Sequence, residues 1–177
     1  MTMASDVKNV KLGVCKIMFD GVDLGFTKGG VDVTVSTETH KVQVDQFGQT
    51  PINEYILGRT VVVKAPLAET TLENLVKIMP GATLVTDAQT PAKKRVDVPT
   101  GVGINLLDFA KELVLHPIGK PDTDKSDDFV VKRAATAGAL DFGYKLEDER
   151  LFNTEFNAYP DENGKLFSIG DPAAGKA

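Results

Sequence analysis

The run Val31-Asp32-Val33-Thr34-Val35-Ser36 decides the fold class. Val31, Val33 and Val35 point one way and Asp32, Thr34 and Ser36 the other. That period of two belongs to a half-buried strand with one apolar and one wet face. Lys28-Gly29-Gly30 breaks the chain before it, and residues 40–45 repeat the pattern, with Val42 and Val44 opposite Lys41, Gln43 and Asp45. Upstream, residues 10–19 read as a first strand and residues 21–25 as a turn. Downstream, residues 59–65, centred on Val61-Val62-Val63, read as a buried strand.

The C-terminal third returns to the same signal. Residues 129–136 and 139–146 flank Gly138 as two strands, and residues 151–158 alternate again. Pro160-Asp161-Glu162-Asn163-Gly164 is a turn that joins this last strand to residues 165–169 as a β-hairpin. Asn105 caps a short helix holding Leu106, Leu107, Phe109 and Ala110, and residues 111–116 form a strand that ends at Pro117. One longer helix is signalled at about residues 71–79. Thr70-Thr71-Leu72-Glu73 fits a capping box with Thr70 as N-cap and Glu73 three positions on. Leu72, Leu75, Val76 and Met79 make one apolar stripe, and Pro80-Gly81 ends it. The expected fold is therefore mainly β, a β-sandwich or barrel with one flanking α-helix. Residues 10–171 form a single domain, with residues 1–9 as an N-terminal extension and 172–177 as a flexible tail.

Residues 46–58 stand apart. Gly48 and Pro51 argue for a loop, yet the stretch holds Phe47, Ile52, Tyr55, Ile56 and Leu57, which is apolar for a loop in water. Either these side chains fold back on their own core, which is the ordinary outcome, or they pack on another subunit.

Composition narrows the functions. Lysine and arginine total 20 against 25 aspartates and glutamates, a net charge of −5, so the basic face of a DNA-gripping regulator is missing. Residues 120–162 alone hold eleven acids and six bases. The single cysteine, Cys15, excludes an internal disulfide and a cysteine-based metal cluster; it reads as a buried, unactivated thiol. The polar Met1–Asn9 stretch lacks the apolar core of a leader, and no run is long enough to span a bilayer. A soluble protein of a reducing cytosol is the expectation.

Catalytic motifs fail one by one. The stretch from Gly170 to Lys176 mimics a phosphate loop, but Ala177 replaces its Ser/Thr and no helix follows. Asp122, Asp124, Asp127 and Asp128 suggest a calcium loop, but Asp127 stands where its glycine belongs and Arg133 where its glutamate belongs. His40 and His116 have no acidic or histidine partner at ligand spacing. The tripeptide Lys93-Lys94-Arg95 reads as a solvated basic loop. The expectation is no enzyme, with no catalytic residue, metal or cofactor.

Several stretches resemble the major tail tube proteins of tailed bacteriophages. GVDLGFTKGGVDVTV (21–35) resembles their N-terminal strand–turn–strand, and VDQFGQTPIN (44–53) the loop after it. LVLHP (113–117) matches a mid-chain strand, and EDERLFNTEFNAYPD (147–161) with LFSIGD (166–171) looks like their closing hairpin. The resemblance runs from about Val10 to Asp171. It leaves out the basic loop and the C-terminal tail, and none of its motifs is catalytic.

The resemblance implies a tube fold shared with type VI secretion tubes. It implies hexameric rings stacked into a hollow tube, assembled in the host cytoplasm and carried in the virion tail, through which DNA passes on infection. Implied partners are further copies of the chain, tail terminator, tail-tip or baseplate proteins, and the tape measure protein and genomic DNA in the lumen. A contractile tail adds a sheath; membrane insertion is not implied. On this reading Asp32, Thr34 and Ser36, with Gln43 and Asp45, face the channel, because acids and hydroxyls let DNA slide where lysines would bind phosphate. The alternative, that this is the outer solvated face, stays open. Gln46, Phe47, Gln49, Ile52 and Tyr55 are the residues expected between stacked rings. Two further readings remain: a tube protein of a phage-derived injection machine, and a β-sandwich adhesion or carbohydrate-binding module, which the absence of tryptophan disfavours.

Overall fold

The computed structural model describes residues 6–11 and 13–175. Among them, in chain order, lie β1 (Cys15–Phe19), β2 (Val22–Asp23), β3 (Asp32–Val42), β4 (Asn53–Leu67), α1 (Leu72–Ile78), β5 (Thr83–Thr86), β6 (Lys94–Asp97), β7 (Lys111–Pro117), β8 (Phe129–Ala135), β9 (Phe152–Tyr159) and β10 (Ser168–Ile169). The protein is mainly β, antiparallel, with one flanking helix. The main sheet runs in the order β2-β1-β7-β8-β9-β4-β3, with β10 on β8, and β5 pairs with β6 alone.

This sheet is rolled rather than flat. β1 and β9 are three strand spacings apart, about 14 Å in a flat sheet. Yet the rings of Phe19 on β1 and Phe156 on β9 meet at 5.0 Å. The chain after β2 then crosses to the far side of the roll. Thr27 bridges Leu67, the Lys28 amide donates to the Pro66 carbonyl at 3.2 Å, and the Ala68 amide donates to the Phe26 carbonyl at 2.7 Å. These bonds close the roll against the end of β4. Inside lie Ile17, Leu113, Val131, Phe156, Val63 and Leu67, with Leu24 and Ile78 capping them, all buried.

Local chemistry explains most departures from the expected elements. Asp20 and Gly21 hold φ of 54° and 73°, the left-handed pair that a two-residue hairpin requires. Residues 21–25 are therefore not a plain turn: Val22 and Asp23 form β2 and pair back on β1. The first strand is Cys15–Phe19 only, and the part of the expected strand at Leu12 lies outside the described residues. Most of the two alternating stretches at residues 31–36 and 40–45 belongs to the single strand β3; Val31 precedes it, and Gln43, Val44 and Asp45 lie beyond it, Asp45 in a 3-10 turn. The basic loop is a hairpin, since Lys94 and Arg95 sit on β6.

The helix starts one residue later than the capping box suggests. Thr71, not Thr70, is the N-cap, and its hydroxyl accepts from the Asn74 amide at 3.1 Å. Glu73 pairs instead with Lys94. The inward positions are Asn74 and Ile78, while the predicted stripe residues are only partly buried. Asn74 is tolerated inside because its amide nitrogen donates to the carbonyls of Leu24 and Glu69, each at 2.9 Å.

At the C-terminal end two expectations fail. Residues 139–146 form no strand. Arg150 holds this stretch instead: its guanidinium lies 5.6, 5.7 and 5.9 Å from the rings of Phe142, Tyr144 and Phe152 and donates to the Thr70 hydroxyl at 2.9 Å. Residues 165–169 do not close a hairpin on β9; β10 pairs with β8. The expected flexible tail falls partly on Lys176 and Ala177, outside the described residues, as do Met1–Ser5 of the N-terminal extension.

Because Phe156 fills the centre of the roll, Phe156→Ala is expected to cost about 3–5 kcal/mol. Urea unfolding followed by circular dichroism measures it, and a cost of about 1 kcal/mol or less would contradict the rolled core.

Candidate functional site

β4 is the longest strand, and its neighbours do not match it. β9 pairs with it only from Val62 to Leu67, whereas β3 pairs with it over Asp32–Val42 against Lys64–Asn53. From Asn53 to Thr60, β4 therefore has one neighbour, and β3 has one neighbour throughout. The result is a two-stranded ribbon about 25 Å long that leaves the roll. Residues 53–60 are exposed along their whole length, and so is β3 but for its last residue, Val42. Among the described residues no strand pairs with either outer edge of the ribbon, so both edges present backbone donors and acceptors.

Cross-strand register sorts the side chains into faces. The polar face carries Asp32, Thr34, Ser36, Glu38 and His40, opposite Lys64, Val62, Thr60, Gly58 and Tyr55. It continues onto β9 through Glu155 and Asn157. Glu155 and Lys64 form an ion pair at 3.8 Å, which leaves Asp32 and Glu38 to make this face net acidic. The other face continues the core: Val63 and Val61 are buried, and Val33 and Val35 lie opposite them. Val33 and Val35 are nevertheless 39% and 43% exposed. The side expected to be buried is thus partly open in the single chain, and among the described residues no strand pairs with the outer edge of β3.

The register slips once. Glu38 pairs with Gly58 and Thr39 with Ile56, so Leu57 is the extra residue of a β-bulge. At the far end a 3-10 turn over Asp45–Phe47 and a glycine at φ 59° (Gly48) reverse the chain. The Ile52 amide closes the hairpin on the Val42 carbonyl at 2.9 Å. The Gln43 side chain donates to the Gln49 carbonyl at 2.6 Å and braces the tip.

Of the residues expected to face a channel, Asp32, Thr34 and Ser36 form one row on the polar face. Gln43 and Asp45 do not continue that row; they belong to the tip. Gln46, Phe47, Gln49, Ile52 and Tyr55 all lie exposed on or beside the tip. The ordinary outcome, apolar side chains folded back on their own core, does not occur: Phe47 is 64% and Tyr55 59% exposed. Residues 53–58 are strand rather than loop, and this places Ile56 and Leu57 among the exposed apolar side chains as well.

A second cluster escaped the sequence reading. His116 at the end of β7 is buried, and so is Asp128 just before β8. Nδ1 of His116 lies 2.6 Å from Asp128 Oδ1, and Nε2 lies 3.3 Å from the Lys120 carbonyl oxygen. Both neighbours are acceptors, so the site favours the form of the ring in which both nitrogens carry a proton. The bond to Asp128 raises the His116 pKa above the usual histidine range. The acidic loop between them is an ion-pair network. Lys120 Nζ lies 3.2 Å from Asp124 and 2.8 Å from Asp127, and Lys11 lies 2.5 Å from Asp127. Bonds from Ser126 hold Asp124 at about 2. Twelve residues separate His116 from its acid, which no spacing rule for local ligands detects.

A pocket of about 270 Å³ lies between the end of α1 and the 3-10 turn at Leu106–Phe109. Phe19, Val76, Met79 and Phe109 line it, with Lys77 and Lys111 among its walls. Cys15 is half-buried, and burial raises its thiol above the usual range. Among the described residues no group of three histidine, cysteine, aspartate or glutamate side chains is placed to hold a metal, and no helix is long and apolar enough to cross a membrane. No protein-family model matches the chain, and no curated protein matches it significantly.

Removing His116 strands a buried carboxylate, so His116→Ala is expected to cost about 3–5 kcal/mol. His40→Ala, on the exposed ribbon, is expected to change stability by no more than about 0.5 kcal/mol. Equal costs for the two variants in urea unfolding would show that the buried pair carries no such weight.

Proposed function

We propose that this chain is a structural subunit that builds a tube from copies of itself, and that the tube is the tail tube of a bacteriophage, a conduit for DNA. The observation that carries the reading is the β3–β4 ribbon. A two-stranded hairpin is at best marginally stable in water, and open edges invite pairing with another chain. Here both edges are free along the ribbon, and Val33 and Val35 lie uncovered beside a full core. Copies arranged in a closed ring supply the missing neighbours on both sides and cover those valines. The likeness of residues 10–171 to major tail tube proteins supports six copies per ring and rings stacked along the tube axis.

The two ends of the ribbon then have separate tasks. The acidic and hydroxyl-rich row of Asp32, Thr34, Ser36 and Glu38 faces the lumen, where it repels or ignores the phosphate backbone. The tip, with Phe47, Ile52 and Tyr55, is buried against the next ring, as exposed aromatic anchors at interfaces usually are. In this arrangement the chain catalyses nothing, takes no cofactor, and meets terminator, tail-tip and tape measure proteins only at the ends or inside the tube.

Negative-stain electron microscopy of the purified chain at rising concentration is expected to show rings or tubes; a stable single particle at all concentrations would sink the reading. Phe47→Ala is expected to unfold in urea like the parent chain, since the side chain touches no core, but to stop at rings or very short tubes. Full-length tubes from that variant would remove the tip from the stacking interface while leaving ring formation standing.

A further inference from the structure

We propose that the His116 ring is a proton-operated latch that docks the loop between β7 and β8 (residues 118–127), holding it below about neutral pH and releasing it as the medium turns alkaline. The inference stands on the buried pair and is independent of the tube reading.

The geometry makes the two ring nitrogens unequal. Nδ1 faces the Asp128 carboxylate at 2.6 Å and keeps its proton in either charge state. Nε2 faces only acceptors: the Lys120 carbonyl at 3.3 Å and, at 4.0 Å, the Asp122 carboxylate. On deprotonation the Nε2 lone pair points at both oxygens, and attraction turns into repulsion: at the part-buried Lys120 carbonyl directly, and at the exposed Asp122 carboxylate more weakly through solvent. The Lys120 carbonyl belongs to the turn closed by the Lys120 amide on the Pro117 carbonyl at 3.1 Å. That turn also anchors the ammonium of Lys120, which gathers Asp124 and Asp127. One proton thus sits under the whole loop.

The surrounding charges do not compete for the role. From β1, Lys16 reaches Asp122 at 3.8 Å and Asp23 at 3.7 Å. From the N-terminal segment, Lys11 reaches Asp127. Asp124 is held at about 2, Asp127 is lowered chiefly by Lys11, and Lys120 is raised chiefly by Asp127, so these three keep their charges near neutrality. The sign follows from the raised affinity of His116 for its proton. The stabilisation is complete below the ordinary histidine value of about 6.5 and is lost as pH rises through the higher folded value.

Hydrogen–deuterium exchange mass spectrometry of the full chain tests this. Exchange is compared from about pH 6 to about pH 9 after correction for the intrinsic rate. Peptides over residues 118–127 are expected to lose protection about fivefold across that range, while peptides over β9 hold theirs. In parallel, exchange at the imidazole C2–H of His116 in the parent chain reports the ring's own titration and needs no variant. Its midpoint is expected above about 6.5 and to coincide with loop release. Asp128→Asn is expected to lower that midpoint. A ring that titrates at or below the free histidine value, or a loop whose protection ignores pH, overturns the latch.

Discussion

The structure depends on a mismatch of length. β4 spans Asn53–Leu67, but β9 covers it only from Val62 onward. In the covered half every second side chain is buried and both edges have partners. In the uncovered half neither condition holds. A strand that outruns its sheet must be tolerated by exposure or completed from outside, because backbone groups left unpaired are costly wherever water is excluded. The ribbon's chemistry follows from that choice: hydroxyls and carboxylates on one face, valines next to the core on the other, aromatic and aliphatic side chains at the tip.

Much of this was legible in the sequence, and for simple reasons. Period-two alternation marked both halves of β3 and gave β9 close to its bounds, because a strand with one buried face leaves that imprint directly, while the breakers Pro117 and Gly138 placed β7 and β8. Asn105 as a cap and the helix near residues 72–78 were readable from local chemistry. The apolar character of residues 46–58 was legible too, although not its placement: Gly48 and Pro51 describe the tip correctly, while residues 53–58 follow β3 as its antiparallel partner, a fact set by pairing rather than by composition.

What could not be read rests on polar side chains that act across long separations. Asn74 replaces an apolar residue on the inward face of the helix, since it serves two carbonyls from other segments. Arg150 gathers three aromatic rings and Thr70, eighty residues away, and so ties residues 142 and 144 of a stretch that joins no sheet. His116 finds Asp128 across a loop that looks like a failed cation site and is a web of ion pairs. A pattern search built on fixed local spacing has no access to such pairs, because the intervening loop can take any length.

The bulge at Leu57 has one more effect. In the inner half of β4 the odd-numbered residues 61, 63, 65 and 67 point inward. Past the extra residue the parity reverses: Tyr55 stands in the same row as His40, Glu38 and Ser36, and Ile56 takes the side that Val61 and Val63 occupy. A single inserted residue has decoupled the chemistry of the projecting arm from that of its root. Substitutions that retune the arm's outer row leave the inner alternation in phase, so the two ends of one strand are free to diverge under different demands.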